Sequence, residues 1–380
     1  MAHTDLVARV DEDVSLQSNP STDNQEHTVP SQQSRDSTPS LPQAGTNPLP
    51  LVGRLLACQG LSKEASEIIG QSWRSGTAKQ YRTYLQKWDL FCSRRNIDPL
   101  HPPIQEGINF LAELFATGIG YSCINTARSA LSSIIILPGG QSFGHHSLVT
   151  RFLKGVFELR PALPRYKEIW DVSLVLNMLE SWKLGSTLTL KDLTLKVTML
   201  LALLSGQRLQ TLKAFSVKSM TLTDTKCVFQ INVLLKTTRP GRHMSALEFC
   251  EYTPSDDLCI VKHLKFYLNL TSTLRRDCDQ LLITYSKPHR TASSATIGRW
   301  LKTVMTKSGI DTQQFGARST RVAVASAAFS KKVSVDTILS AAGWSNVQTF
   351  ARYYNKPLLP QERNFGDELL IATHHVHSTV

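Results

Sequence analysis

Two blocks of apolar periodicity, divided by a short proline-containing segment, limit what this chain can fold into. Helical spacing dominates Thr77–Glu158, and Arg160–Arg165 (RPALPR) then interrupts it with two prolines. Beyond the prolines the periodicity is mixed, with helical stretches around a run of alternating apolar and polar residues. The pattern predicts a helical domain over 65–163, a stiff linker, and a mixed α/β domain over 166–360.

In the first domain the leading helix carries one apolar face. Tyr81, Tyr84, Leu85, Trp88 and Phe91 follow each other at spacings of three, one, three and three residues, which is typical of an amphipathic helix. We expect three more helices, near 104–115, 122–135 and 147–158.

The second domain contains a predicted β-hairpin. Cys227–Leu235 alternates apolar and polar residues at first and ends apolar, and Ala246–Tyr252 resembles its return strand. Lys236 then lies at the hairpin tip, and a further short strand is expected at Leu281–Tyr285. Helices are predicted over 172–182, 190–204, 258–270, 297–306, 319–331, 334–341 and 345–354.

The charge is unevenly distributed along the 380 residues. The first 50 hold seven acids, two bases, six Pro and no Lys, a net charge of −5. Because the whole chain has a net charge of +12, the remaining 330 residues carry +17. A segment this polar buries too little apolar area to offset its ordering entropy, so residues 1–60 are expected to be a disordered tail. Residues 361–380 form a second, poorly patterned tail. The basic remainder favours a nucleic-acid partner, with a basic surface kept for solubility as the alternative.

Composition also excludes several classes of protein. The longest nearly apolar run, Val197–Leu204, has eight residues, whereas a transmembrane helix needs about 20. The N-terminus lacks the pattern of a secretory signal. The seven cysteines are odd in number and form no Cys-x-x-Cys pair, which argues against disulfides and structural zinc. A reducing compartment, cytosol or nucleus, is expected.

Four short segments of the second domain hold side chains suited to a phosphate ester. They are LLALLSGQRLQTL, the predicted hairpin tip, GARSTRVAVASAA and GWSNVQTFARYYNKP. Taken one at a time, their basic and aromatic residues are typical of helix caps, solvated turns and half-buried core positions. In chain order these residues are Arg208, Lys236, Arg318, Arg321, Trp344, Tyr353 and Tyr354.

The order and spacing of this set resemble the active site of the tyrosine recombinases, the phage-integrase-like superfamily. The closer likeness, over about residues 65–360, is to recombinases of the DIRS group of tyrosine-recombinase retrotransposons. The resemblance implies a mainly α fold with a small β-sheet. It places an N-terminal helical core-binding domain of the SAM-like kind before a mixed α/β catalytic domain. The matching stretches are SGQRLQTL, LKTTRPGRH, STRVAVAS and AGWSNVQTF.

The resemblance implies DNA cleavage and rejoining through a 3′-phosphotyrosyl intermediate, in the integration of a mobile element. Arg208 and Arg321 are expected to clamp the phosphate, because guanidinium groups are planar, bidentate and always charged. Their charges also favour the phenolate of a tyrosine whose usual pKa is about 10. Lys236 is the candidate general acid for the leaving 5′-oxygen. No metal ion or small-molecule cofactor is expected, and the sequence has no Walker-type loop.

The identity of the nucleophile is open between two neighbours. Most of the superfamily places it nine residues after the Trp or His, at Tyr353, whereas the retrotransposon group places it one later, at Tyr354. We favour Tyr354. Adjacent helical residues diverge by about 100°, so only one of the two faces the phosphate. Trp344 takes the position that many relatives fill with His, where it donates to a phosphate oxygen, packs the last helix, or does both.

Arg318 departs from the superfamily pattern, which has His three residues before the second Arg. Arginine stays charged and cannot act as a base, and its size is expected to crowd the pocket. We therefore expect reduced but nonzero cleavage. The alternative is a catalytically impaired or domesticated DNA-binding protein derived from such an enzyme, and a weaker one is a relaxing topoisomerase.

The expected partner is double-stranded DNA, bound by a homotetramer in the nucleus. A C-terminal segment that includes Leu358 and Leu359 either exchanges between protomers or frays. No membrane contact is expected. Candidate DNA-binding residues are Lys79, Arg82, Arg128, Lys154, Arg239 and Arg242.

Overall fold

Helices dominate both halves of the chain. The computed structural model describes residues 50–185, 188–241, 243–344 and 346–359, and of Tyr353 and Leu359 only the main chain. The chain divides into two units between Leu163 and Pro164. The predicted fold class, mainly α with a small antiparallel sheet in the second unit, is confirmed.

The first unit is a bundle of helices around an aromatic core. Trp88 and Phe91 on the third helix stack at 5.5 Å between ring centroids, and Phe110 lies edge-on to both at 5.3 and 5.4 Å. The Trp88 indole donates to the Pro99 carbonyl at 3.0 Å, so its polar atom is satisfied inside the core. The predicted apolar face of this helix is therefore the buried one. The helices are α1 (Pro50–Cys58), α2 (Lys63–Gly70), α3 (Ser75–Arg95), α4 (Ile104–Ala116), α5 (Tyr121–Ser132) and α6 (Ser147–Leu159).

Residues 50–60 correct the prediction of a disordered tail over 1–60. Pro50 opens α1, as its fixed φ allows at the first position of a helix. Leu51, Val52 and Leu56 are all buried in the core of the first unit. The predicted tail is therefore about ten residues too long, because the apolar segment LVGRLL packs into the core. Residues 1–49, and the C-terminal tail 361–380, lie outside the described residues.

Arg160, which the sequence assigned to a basic linker, is part of the first unit. Its guanidinium donates to the carbonyls of Phe115 at 2.5 Å and Ile119 at 3.1 Å. It also lies 3.8 Å over the Phe115 ring. These contacts supply donors to carbonyls in the last turn of α4 and just beyond it, where the helix itself offers few.

The second unit is built around α8, which is buried on nearly all sides from Leu193 to Leu203. Neighbouring helices surround it and form one core, so α8 has no exposed polar face between these residues, and even Thr194, Lys196 and Thr198 are buried. Among the described residues, no helix is long and apolar enough to cross a bilayer. The helices are α7 (Val172–Ser181), α8 (Leu190–Ser205), α9 (Leu209–Ala214), α10 (Ile260–Thr271), α11 (Ser294–Lys307), α12 (Ser319–Ser330), α13 (Val335–Ala342) and α14 (Val347–Tyr353).

Two small sheets complete this unit. The first pairs β1 (Ile169–Trp170) in parallel with β5 (Leu358–Leu359). The second is antiparallel and contains β2 (Met220–Leu222), β3 (Lys226–Phe229) and β4 (Leu247–Cys250) in that order.

The predicted hairpin exists, but its strands are shorter than expected. β3 ends at Phe229 instead of Leu235, and residues 230–246 form the connection that contains Lys236. The rings of Phe215, Phe229 and Phe249 pack together and hold the sheet against the core, whereas Val233 and Leu234 are exposed. The strand predicted at 281–285 is reduced to one isolated bridge, at Ile283.

Titration of His263 couples the stability of this core to pH. His263 is fully buried on α10, with Nδ1 2.8 Å from the Cys259 carbonyl. Burial, with a smaller contribution from the charge of Lys196, lowers its pKa from 6.5 to about 4, although the contact with the Cys259 carbonyl and the charge of Asp257 act in the opposite direction. Between these values the unfolded chain binds more protons than the folded one, so stability falls as pH falls through this window.

We expect acidification to lower the free energy of unfolding by up to about 3 kcal/mol through His263. In His263→Leu, urea denaturation at pH 6.5 and 4 should show a smaller loss than the native protein shows. His145→Asn, at an exposed histidine, is the control and should match the native protein. Equal losses in His263→Leu and the native protein would contradict the assignment.

Candidate active site

Arg208 lies at the junction of two helices. The first, α8, ends at Gly206, whose φ of 59° is the left-handed conformation that glycine adopts without strain. Arg208 then begins α9, and its carbonyl accepts from the N–H groups of Thr211 and Leu212 at 2.8 and 3.1 Å. The sharp reversal at Gly206 leaves the Arg208 side chain half-buried at the edge of the core.

Gln207 connects the junction between α8 and α9 to another helix. No sequence pattern predicted this role. Its side-chain N–H donates to the Ala341 carbonyl at 2.6 Å, and its Oε1 accepts from the Thr211 hydroxyl at 3.3 Å. The amide thereby connects the start of α9 to the end of α13. Arg208 is held beside the segment that leads to Trp344.

Lys236 lies in a hydrogen-bonded turn within the hairpin connection. The Thr238 N–H donates to the Leu235 carbonyl, and the Leu235 N–H donates to the Thr238 hydroxyl, both at 3.0 Å. The Lys236 N–H donates to Gln210 Oε1 on α9 at 2.9 Å. Its side chain is exposed, but its main chain is therefore fixed to the helix that Arg208 begins.

A cleft of about 410 Å³ joins these elements. Arg208, Thr237, His243 and Trp344 all line it. The cleft thus brings together the start of α9, the residue after Lys236, a later residue of the hairpin connection and Trp344, two residues beyond the end of α13. His243 is an addition that the sequence analysis did not single out.

Arg321 lies behind Trp344, on α12, and is only 6% exposed. It donates to the Ala342 carbonyl at 2.8 Å. Its guanidinium carbon is 4.3 Å from the centre of the Trp344 ring and 5.5 Å from that of Tyr354. Stacking on an aromatic face stabilises a buried cation, and this arrangement fixes the charge close to one phenol.

Tyr354 stacks on Trp344, with ring centroids 4.1 Å apart and planes inclined by 40°. Tyr354 is half-buried and directly follows α14, whereas Tyr353 is the last residue of that helix. Trp344 is 7% exposed, and its indole N–H has no hydrogen-bond partner among the described residues. Stacking explains the burial of Trp344 and leaves its donor unused.

Arg318 differs from Arg321 in its environment. It is exposed at the start of α12 and does not line the cleft. The structure thus places Arg321 and Tyr354 against Trp344, which lines a cleft with Arg208. Lys236 is connected to α9 by its main chain, through Gln210.

The candidate DNA-binding residues are mostly exposed. Lys79 and Arg82 lie on α3, Lys154 on α6 and Arg239 in the hairpin connection, all with exposed side chains. Arg128 is half-buried and donates to Asn125 Oδ1 at 2.7 and 3.2 Å. Arg242 lies outside the described residues.

Solved structures that resemble this chain include recombinases and integrases. One is a XerH site-specific recombinase bound to palindromic difH substrate in a post-cleavage complex. It has a TM-score of 0.50 and 15% identity, covering 87% of this chain and 96% of that one. Another is the Tn1549 transposon integrase in complex with transposon right end DNA. It has a TM-score of 0.51 and 10% identity, covering 86% of this chain and 98% of that one.

The chain has the tyrosine recombinase fold. No protein-family model matches the sequence, and no curated protein matches it. At these identities the likeness concerns the fold alone.

The turn that holds Lys236 is expected to depend on the buried Thr238 hydroxyl. In Thr238→Val the Leu235 N–H loses its acceptor without a change in side-chain shape, at a cost of about 1–3 kcal/mol. Chemical denaturation of the full chain measures this loss.

Thr223→Val is the matched control, because the Thr223 hydroxyl accepts from the Lys226 N–H at 3.1 Å in an exposed turn. Water replaces that contact, so we expect a change within about 0.5 kcal/mol. Equal losses would contradict the prediction.

Proposed function

We propose that this protein is a tyrosine recombinase, which cleaves and rejoins duplex DNA through a 3′-phosphotyrosyl intermediate. One observation carries the proposal. Trp344 lines a cleft with Arg208 and also contacts both Arg321 and Tyr354. One indole thus contacts a guanidinium and a phenol and shares a cleft with a second arginine, in a chain with the fold of known recombinases.

In the proposed reaction, the Tyr354 oxygen attacks the scissile phosphorus as the bond to the 5′-oxygen breaks. Arg208 and Arg321 bind the non-bridging oxygens, whose charge grows in the transition state. Their charges favour loss of the phenolic proton, which passes to solvent. Lys236 returns a proton to the leaving 5′-oxygen. Rejoining reverses these steps, with a 5′-hydroxyl attacking the tyrosyl ester.

Trp344 has two compatible roles in this scheme. Its ring positions the Arg321 guanidinium and the Tyr354 phenol by stacking. Its unused indole N–H is a donor suited to a third phosphate oxygen, because an indole donates and cannot accept.

The proposed partner is double-stranded DNA, bound without a metal ion or other cofactor. The net charge of +12 and the exposed basic residues support a phosphate-rich ligand. The solved XerH and Tn1549 structures hold DNA, which supports the same ligand class here. Integration of a mobile element of the DIRS type, a homotetramer on DNA and residence in the nucleus belong to the same proposal and rest on the sequence resemblance.

The proposal predicts a covalent adduct at Tyr354. The full chain is mixed with a pool of labelled duplexes that have a random central segment and a nick, so that the short cleaved fragment diffuses away. We expect a protein–DNA band that resists SDS. Tyr354→Phe should lose this band, because the attacking oxygen is missing, and Tyr353→Phe should keep it. Mass spectrometry of the adduct peptide locates the phosphotyrosine. Loss only in Tyr353→Phe would reverse the assignment, and no adduct in the native protein would refute the proposed function.

Arg318 favours the second candidate function, a DNA-binding protein derived from such an enzyme. An arginine binds phosphate but does not exchange a proton near neutral pH. Such a protein would bind DNA with a steep salt dependence and form no adduct.

Arg318→His tests whether this position limits the chemistry. A histidine changes its charge between about pH 5 and 8 and can exchange a proton with the phenol. We expect about 10-fold or more covalent complex from the same nicked pool, with general acid–base catalysis as the cause. Arg318→Gln, which removes the charge without adding an imidazole, is the control. No gain over the native protein would mean that Arg318 is not the limitation.

A further inference from the structure

The Ser326 hydroxyl connects two main-chain groups on either side of Asn355. Ser326 lies on α12 and is only 2% exposed. Its Oγ donates to the Tyr354 carbonyl at 2.6 Å and accepts from the Lys356 N–H at 3.0 Å. These contacts cross 28 and 30 residues of sequence, so they are tertiary and not part of a local turn.

Other bonds hold the same segment to other elements. The N–H groups of Tyr354 and Asn355 donate to the Phe350 carbonyl on α14 at 2.9 and 3.0 Å. The Ile169 N–H donates to the Pro357 carbonyl at 2.8 Å, where the pairing of β1 with β5 begins. Ser326 adds the attachment to α12.

This attachment matters because α12 also carries Arg321. Ser326 lies five positions after Arg321, a rise of about 7.5 Å along one helix. The guanidinium lies 5.5 Å from the Tyr354 ring, while Ser326 holds the main chain of that same tyrosine. One rigid element therefore sets both the position of the cation and the position of the phenol.

We infer that Ser326 is a positioning residue for Tyr354, an inference that rests on the proposed function. The hydroxyl fixes the main chain at the residue where α14 ends, and so presents the phenol of Tyr354 in preference to that of its neighbour Tyr353. Attack on phosphorus requires reacting atoms about 3–3.5 Å apart, and a misplacement of about 1 Å costs about 100-fold in rate.

The test compares Ser326→Ala and Ser326→Thr with Ser330→Ala in the full chain. Ser330 is the matched control, because it lies on α12 and its hydroxyl donates only locally, to Ala327 at 2.9 Å. Three quantities are measured on the nicked duplex pool: the single-turnover rate of covalent complex at saturating DNA, the Kd before cleavage, and the share of adduct on Tyr353.

We expect Ser326→Ala to slow covalent complex formation by about 100-fold. Its Kd should stay unchanged and the share of adduct on Tyr353 should rise, two results that a general loss of stability does not produce. Ser326→Thr keeps the hydroxyl and should keep most of the rate. Ser330→Ala should match the native protein.

Two results would overturn this inference and leave the proposed function standing. The first is a native rate of covalent complex formation in Ser326→Ala. The second is a loss of both rate and DNA affinity in proportion to the folded fraction that thermal melts measure. Should Ser326→Ala fail to fold, Ser326→Cys replaces it, since a thiol donates and accepts more weakly. A native rate in that folded variant overturns the inference equally. A native protein that forms no adduct refutes the proposed function, and this inference with it.

Discussion

The buried guanidinium of Arg321 is the interaction on which the rest of the site depends. Burying a cation is costly unless polar partners replace its water. The Ala342 carbonyl supplies one at the C-terminal end of α13, where the helix dipole also favours positive charge. The Trp344 ring supplies another through its face. The same contacts place α13, Trp344 and Tyr354 around one charge, so the cation and the site are assembled together.

The helix that precedes Tyr354, α14, depends on contacts with neighbouring residues for its stability. At seven residues, α14 is too short to be stable alone in water. The Asn346 side chain caps its start by accepting from the Gln348 N–H at 2.7 Å. Its end is held by the Ser326 hydroxyl, and the following residues pair with β1 of the same chain. Such a helix can be positioned accurately because its geometry is set by contacts at both ends.

The buried face of α3 could be predicted from the sequence, because apolar periodicity is a local pattern. The set from Arg208 to Tyr354 came from motif order, and its role stays a prediction. Gln207 and Ser326 were not found as structural links, because a glutamine or serine that bonds a carbonyl more than 25 residues away leaves no local pattern. Arg160 was misassigned for a similar reason, since proline and charge indicate a linker whereas its partners lie on α4.

Arg318 and Arg321 show how burial separates the functions of two identical side chains on one helix. The sequence predicted that the bulk of Arg318 would crowd the pocket, but an exposed side chain needs no space in the protein interior. Histidine and arginine can both bind phosphate as cations, but only histidine exchanges a proton near neutral pH. Arginine at position 318 therefore lacks the proton exchange and keeps the charge. Under the proposed function, the expected deficit is therefore in the rate of cleavage and not in DNA affinity. On that proposal DNA affinity alone does not distinguish an enzyme from an inactive descendant, because both keep the cations that bind phosphate.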